Sequence, residues 1–121
     1  MTKEIEIVNA KINWTMLGLE DHEIMTFIVD LDFGGSGQGF GGYALDDYDK
    51  KKDKRIGSAY GMESIMRLLD VVGVSKWEEL KGKNVRVKRE GGWNGRLAAI
   101  GNILEDKWLN MKELYDEMER D

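Results

Sequence analysis

Apolar residues fall at every second position through much of the first third of the chain, the period of a half-buried β-strand. Residues 4–19 read as one long strand. Ile5 and Ile7 share one face; Ala10, Ile12, Trp14 and Met16 share a face after a change of phase, so a bulge or bend is expected near Val8 and Asn9. Glu20-Asp21-His22 reads as a turn. Met25, Phe27, Val29, Leu31 and Phe33 then alternate with Thr26, Ile28, Asp30 and Asp32, the clearest strand in the chain. A glycine-rich run from Gly34 to Tyr43 follows, with six Gly in ten residues. Tyr43-Ala44-Leu45 reads as strand and Asp46 to Lys54 as a charged loop.

The period then changes to that of a helix. Met62, Ile65, Met66, Leu69 and Val72 predict an apolar stripe. Gly73 sits where a helix-ending glycine belongs, and Ser58 or Gly61 are the candidate caps at the start. Ser75-Lys76-Trp77-Glu78 has the pattern of a capping box that opens one short turn, with Trp77 packed on the sheet. Val85 and Val87 predict a strand, Gly91 to Gly95 a hairpin turn containing Asn94-Gly95, and Leu97 to Ile103 the returning strand. Asn110 is placed to cap a last helix whose stripe is Met111, Leu114, Tyr115 and Met118. Strands grouped apart from helices imply an α+β domain: an antiparallel sheet of about five to six strands with two helices packed on it. No linker or repeat divides residues 1–121, so a single domain is expected.

Composition narrows the chemistry. The chain has no Cys, no Pro and one His, so disulfides, thiolate metal sites and a His cluster are all ruled out. No apolar run approaches a membrane span and no leader pattern opens the chain, so a cytoplasmic protein with no membrane partner is expected. The net charge of −5 is unevenly laid out. Residues 1–49 carry 2 basic and 10 acidic groups, residues 50–100 carry 13 and 6, and residues 101–121 carry 3 and 7. The overall sign argues against binding long nucleic acid, whereas the basic middle third suits a small anion.

No catalytic constellation stands out, and no cofactor is expected. The string Gly37-Gln38-Gly39-Phe40-Gly41-Gly42 fits the glycine spacing of a dinucleotide fingerprint, but no helix opens at its third glycine. A strand corner and a close ligand contact are both open readings of it. Arg55 differs from its lysine neighbours, lying just before a helix start where a phosphate would find both donors and positive potential. Arg86, Lys88, Arg89 and Arg96 lie on or beside the second hairpin, with Trp93 and Asn94 at its tip. Charge, a stacking plane and an amide together suit a nucleotide; a polar strand face with a turn aromatic is the plainer alternative. Asp46, Asp47 and Asp49 among lysines read as solvated charge, and His22 as a surface histidine.

Three segments carry a resemblance: Gly39-Phe40-Gly41-Gly42-Tyr43-Ala44-Leu45-Asp46, Arg55-Ile56-Gly57-Ser58-Ala59-Tyr60-Gly61-Met62, and Leu104-Glu105-Asp106-Lys107-Trp108. In these segments, and in element order and length over nearly the whole chain, it resembles the first anti-Thoeris family of phage anti-defence proteins. The resemblance implies a sponge: a protein that binds glycocyclic ADP-ribose, a cyclic ADP-ribose isomer made by the infected cell's defence enzyme, without cleaving it. It also implies uptake of cyclic di- or trinucleotides of CBASS defence and assembly into a homo-oligomer in the cytoplasm of the infected bacterium. By position, Arg55 resembles the family's pocket arginine, Lys107 a second basic ligand contact, and Asn94 a pocket asparagine. Trp14, Phe40, Tyr43 and Trp93 are candidate planes for a base, and Arg86 a further cation.

Two other functions fit the residues. A protein-binding inhibitor of a host or defence enzyme would dock through the acidic segments 20–49 and 105–121. A nucleotide-degrading enzyme would use Asp46 or Glu63 for acid–base work.

Overall fold

Strand β1 (Ile5–Glu20) is the spine of the molecule, whose computed structural model describes residues 4–92 and 95–119. Its first half pairs with β6 (Asn84–Glu90), aligning Val8 with Val87 and Ala10 with Val85. Its second half pairs with β2 (Ile24–Asp32), aligning Thr15 with Val29 and Leu17 with Phe27. With β3 (Gly37–Gly41), β7 (Leu97–Asn102) and the two-residue β8 (Trp108–Leu109) the antiparallel sheet has six strands in the order β3-β2-β1-β6-β7-β8. A separate ribbon of β4 (Asp46–Asp49) and β5 (Lys54–Gly57) leads into helix α1 (Ala59–Val72). A 3₁₀ turn at Trp77–Glu79 precedes β6, and helix α2 (Met111–Glu119) ends the described chain. The fold is therefore α+β, with one helix-covered sheet.

Three local expectations give way. The ladder runs unbroken from Ile5 to Lys11, so there is no bulge at Val8-Asn9; Ile5 and Ile7 are simply its outward residues. The register instead shifts between Ile12 and Trp14. Val8, Ala10 and Ile12 face inward before the shift, and Thr15 and Leu17 lie opposite buried Val29 and Phe27 after it. One extra residue moves every later side chain to the other face. Trp14 therefore stands on the open face, opposite Asp30, and does not share a face with Ile12.

The second correction concerns residues 43–54. Tyr43-Ala44-Leu45 is not a strand, and the expected charged loop is the β4–β5 hairpin. Of the two readings of the glycine run, the strand corner describes β3, an edge strand that ends where Gly41 takes φ +127°. A Cβ there would lie 2.2 Å from the Phe27 carbonyl oxygen, so the chain turns against β2 only because glycine has none.

The third concerns α1. Tyr60, Gly61, Ser64, Leu68, Val71 and Val72 are its buried residues, while Met62 and Met66 are 60% and 57% exposed. The stripe is turned from the expected one because small residues, Gly61 and Ser64, let the helix approach closely. Its ends agree with the sequence. Ser58 caps the start through Gly61 N–H, and Gly73 closes the end with φ +91° and its N–H bonded to Leu69. Asn110 Oδ1 accepts from Glu113 N–H at 3.0 Å as the expected cap of α2. In the 3₁₀ turn it is Glu79 that reaches back, accepting from the N–H groups of Ser75 and Lys76.

One apolar cluster joins the inward face of the sheet to both helices, with Phe27, Phe40, Leu68, Ile100, Met111 and Leu114 among its members. Trp77 packs on Phe27 with ring centroids 5.9 Å apart. The other face of the sheet carries no helix among the described residues. There Ile5 is 51% exposed, Ile7 55% and Trp14 45%. No described helix is long and apolar enough to cross a membrane.

Candidate functional site

The best-formed pocket, about 460 Å³, opens where the segment after β3, the start of α1, the base of the β6–β7 hairpin and α2 meet. Its walls carry three tyrosines, Tyr43, Tyr60 and Tyr115, two cations, Arg96 and Lys112, and three carboxylates, Asp46, Asp47 and Glu119. The volume lies in the range of small-molecule sites, and the mix of aromatic and charged groups is of the kind that fixes a ligand's orientation.

Local chemistry builds each wall. Ser58 Oγ accepts from Gly61 N–H and donates to the Leu45 carbonyl, both at 2.9 Å. A Cβ on Gly61 would lie 1.8 Å from that same carbonyl oxygen, so only glycine lets α1 dock here. This contact places the helix N-terminus, with Ala59 and Tyr60, in the pocket wall. The Tyr60 and Tyr115 rings meet edge to face, 5.3 Å apart. Burial raises the Tyr60 pKa, so its hydroxyl stays protonated at neutral pH. Arg96 comes from the hairpin base, where its Nη1 donates to Glu90 Oε1 at 2.9 Å. That bond to Glu90, with Tyr43 close by, raises the arginine's pKa and keeps its charge. Lys112 lies on α2, loosely paired with Asp116 at 3.4 Å.

The residues singled out by sequence do not converge on one place. Tyr43 lines the pocket. Phe40 is buried in the core between Phe27 and Tyr43, so its ring is packing and offers no plane to a ligand. Arg55 lies across the β4–β5 ribbon, its Nε and Nη2 bonded to Asp46 at 2.9 and 2.8 Å. Asp46 is 8% exposed and also accepts from Met25 N–H. The Arg55 guanidinium holds the Asp46 carboxyl below its ordinary range, outweighing the opposing effect of burial. Arg55 is thus tied to Asp46 in this state, while its side chain remains 29% exposed and lines a second cavity, of about 570 Å³, on the other side of the ribbon start. Lys107 sits in the β7–β8 loop, 3.6 Å from Asp70 and from Glu105. Arg86 and Lys88 lie over the Trp108 ring, 4.9 and 4.4 Å from its centroid, and Arg86 donates to the Asn102 and Glu105 carbonyls. Trp14 is on the open face. Trp93 and Asn94 lie outside the described residues.

Sequence reasoning missed Tyr60, Asp47 and Lys112 as wall residues, and took Tyr115 only as part of an apolar stripe. Tyr60 and Ser64 lie four apart on the inward side of α1, and that spacing was the available signal. Among the described residues no three His, Asp or Glu side chains gather as metal ligands. No protein-family model, curated protein or solved structure matches the chain.

Proposed function

We propose that the chain is a phage anti-defence protein that binds a nucleotide immune signal and holds it without cleaving it. The ligand is glycocyclic ADP-ribose or a related cyclic ADP-ribose isomer, with cyclic di- or trinucleotides as further candidates. The observation that carries this reading is the pocket of about 460 Å³, with three tyrosines, Arg96 and Lys112 in its walls beside a helix N-terminus. Such a site supplies rings for a base and charge-assisted donors for a pyrophosphate. Of the two carboxylates named for acid–base work, Glu63 lies outside the pocket and is paired with Arg67 at 2.9 Å, and Asp46 in its wall is paired with Arg55; Asp47 and Glu119 also line it. The resemblance described above supports holding over turnover.

The protein acts as a homo-oligomer in the cytoplasm of the infected host. Ile5 and Ile7 are exposed neighbours on the uncovered sheet face, with Trp14 further along it beyond Asn9 and Lys11, and these exposed apolar side chains support assembly. That same face favours the second reading, a protein-binding inhibitor of a host or defence enzyme.

One experiment separates the two. The protein is incubated with extract of infected, defence-active cells, filtered, heat-denatured and the released material analysed by mass spectrometry. The sponge reading expects an intact cyclic nucleotide. Release of none, with a host enzyme retained, would favour the inhibitor. Light scattering at micromolar concentration is expected to give the mass of at least two chains.

A further inference from the structure

We infer that Gln38 is a positioning residue for the pocket, acting through Arg96; this rests on the reading of the pocket as a ligand site. The starting observation is a long-range contact. Gln38 Nε2 donates to the Gly95 carbonyl at 2.7 Å, between residues 57 apart in sequence. Strand β3 is at one edge of the sheet, with β2 and β1 between it and β6, so neighbouring strands do not bring these groups together. The hairpin base must fold across the sheet end to reach Gln38. Inside the hairpin, Glu90 N–H donates to the Arg96 carbonyl at 2.8 Å, Gly95 N–H to the Gly92 carbonyl at 2.9 Å, and Arg96 Nη1 to Glu90. The Gln38 amide anchors this closed unit from outside.

Its consequence lies one residue further on. Arg96 follows Gly95 directly and is the only arginine lining the pocket among the described residues. A guanidinium recognises phosphate through fixed geometry, so it gains from a backbone that cannot swing. Gln38 and Phe40 are the non-glycine residues of β3, and Phe40 is core. The glycine-rich strand thus carries one polar side chain aimed at the core-facing side, half-buried and used on the hairpin. A surface glutamine in an edge strand has no need of such a partner.

The test uses ADP as probe, measured by calorimetry at several salt concentrations. Gln38→Met keeps the length and removes the amide. Loss of one neutral hydrogen bond to a pivot is expected to weaken ADP about 3- to 10-fold. The salt dependence of binding should fall to that of Arg96→Ala. In an Arg96→Ala background, Gln38→Met should have no further effect, because Gln38 then has nothing to position. If Arg96→Ala binds ADP like the wild type, or if ADP does not bind at all, the pocket reading fails and takes this inference with it. If Arg96→Ala weakens binding but Gln38→Met does not, or weakens it equally in both backgrounds, Gln38 is structural and the inference alone is wrong. A readout without ligand is the Arg96 Nε–H resonance. It is expected to be distinct in the wild type and to collapse toward that of free arginine in Gln38→Met; no change would overturn the inference.

Discussion

The pair of Asp46 and Arg55 shows how far a single residue's role depends on a partner that sequence does not display. In the sequence Arg55 follows a run of lysines and reads as a cation available to a phosphate. In the fold it is the counter-charge of a carboxylate that is 8% exposed. Arg55→Ala is therefore expected to lower the melting temperature at pH 7, modestly, since it removes the counter-charge of a carboxylate on a half-buried residue of the pocket wall, which water can then reach. The pH dependence has a definite sign. Asp46 has a folded pKa below its ordinary value, so the pair's contribution is fully present above the ordinary carboxylate range, begins to fade as pH enters it, and is lost as pH falls on through the lower folded pKa. The gap in melting temperature between wild type and Arg55→Ala should thus narrow as pH drops below about 4. A gap that is absent at pH 7, or constant down to pH 3, would show that the pair is not stabilising. Residues whose role is local were legible: Ser58, Gly73 and Asn110 are caps that depend on their own neighbours. Arg55, Arg96 and Gln38 act on groups brought close only by the ribbon or by the hairpin, and nothing in local pattern reports that.

Among the elements, helix α1 was legible in extent but not in orientation. Methionine at 62 and 66 gives a convincing apolar stripe, yet Leu68 is fully buried while Met66 is mostly exposed. Periodicity marks apolar residues; it does not weigh a small residue that allows close approach, and Gly61 and Ser64 decide the matter here. Substitution separates the two faces. Met66→Lys should change stability by no more than about 0.5 kcal/mol, as for other surface positions. Leu68→Ala should cost about 2–5 kcal/mol through lost burial and the cavity left behind. Equal losses at both positions in urea denaturation would contradict the observed face. β1 teaches the same lesson for strands. The sequence signals a phase change, but alternation alone does not say whether it lies at Val8-Asn9 or at Asn13, and the partner strand settles it.

At the scale of the molecule, the α+β class and the helix-covered antiparallel sheet follow from element order, whereas the strand order does not. Pairing β1 with both β2 and β6 makes it central, and this leaves a sheet face with Ile5, Ile7 and Trp14 uncovered. The same topology brings the ends of α1, α2 and the second hairpin together around the pocket. Residues from four distant stretches meet there, which is why only Tyr43 of the candidate ligand contacts falls in it, beside Arg96 of the hairpin and Asp46 of the acidic run. A sponge must hold its ligand tightly, because it acts stoichiometrically; a nanomolar dissociation constant corresponds to about −12 kcal/mol. The central claim is holding without chemistry. Its most direct test is a time course with glycocyclic ADP-ribose in excess over protein, following free ligand by chromatography. The account predicts depletion that stops at a fixed ratio per chain, with all bound ligand recovered intact on heating. Loss that continues past that ratio, or recovery of an altered product, would mean turnover and would contradict it.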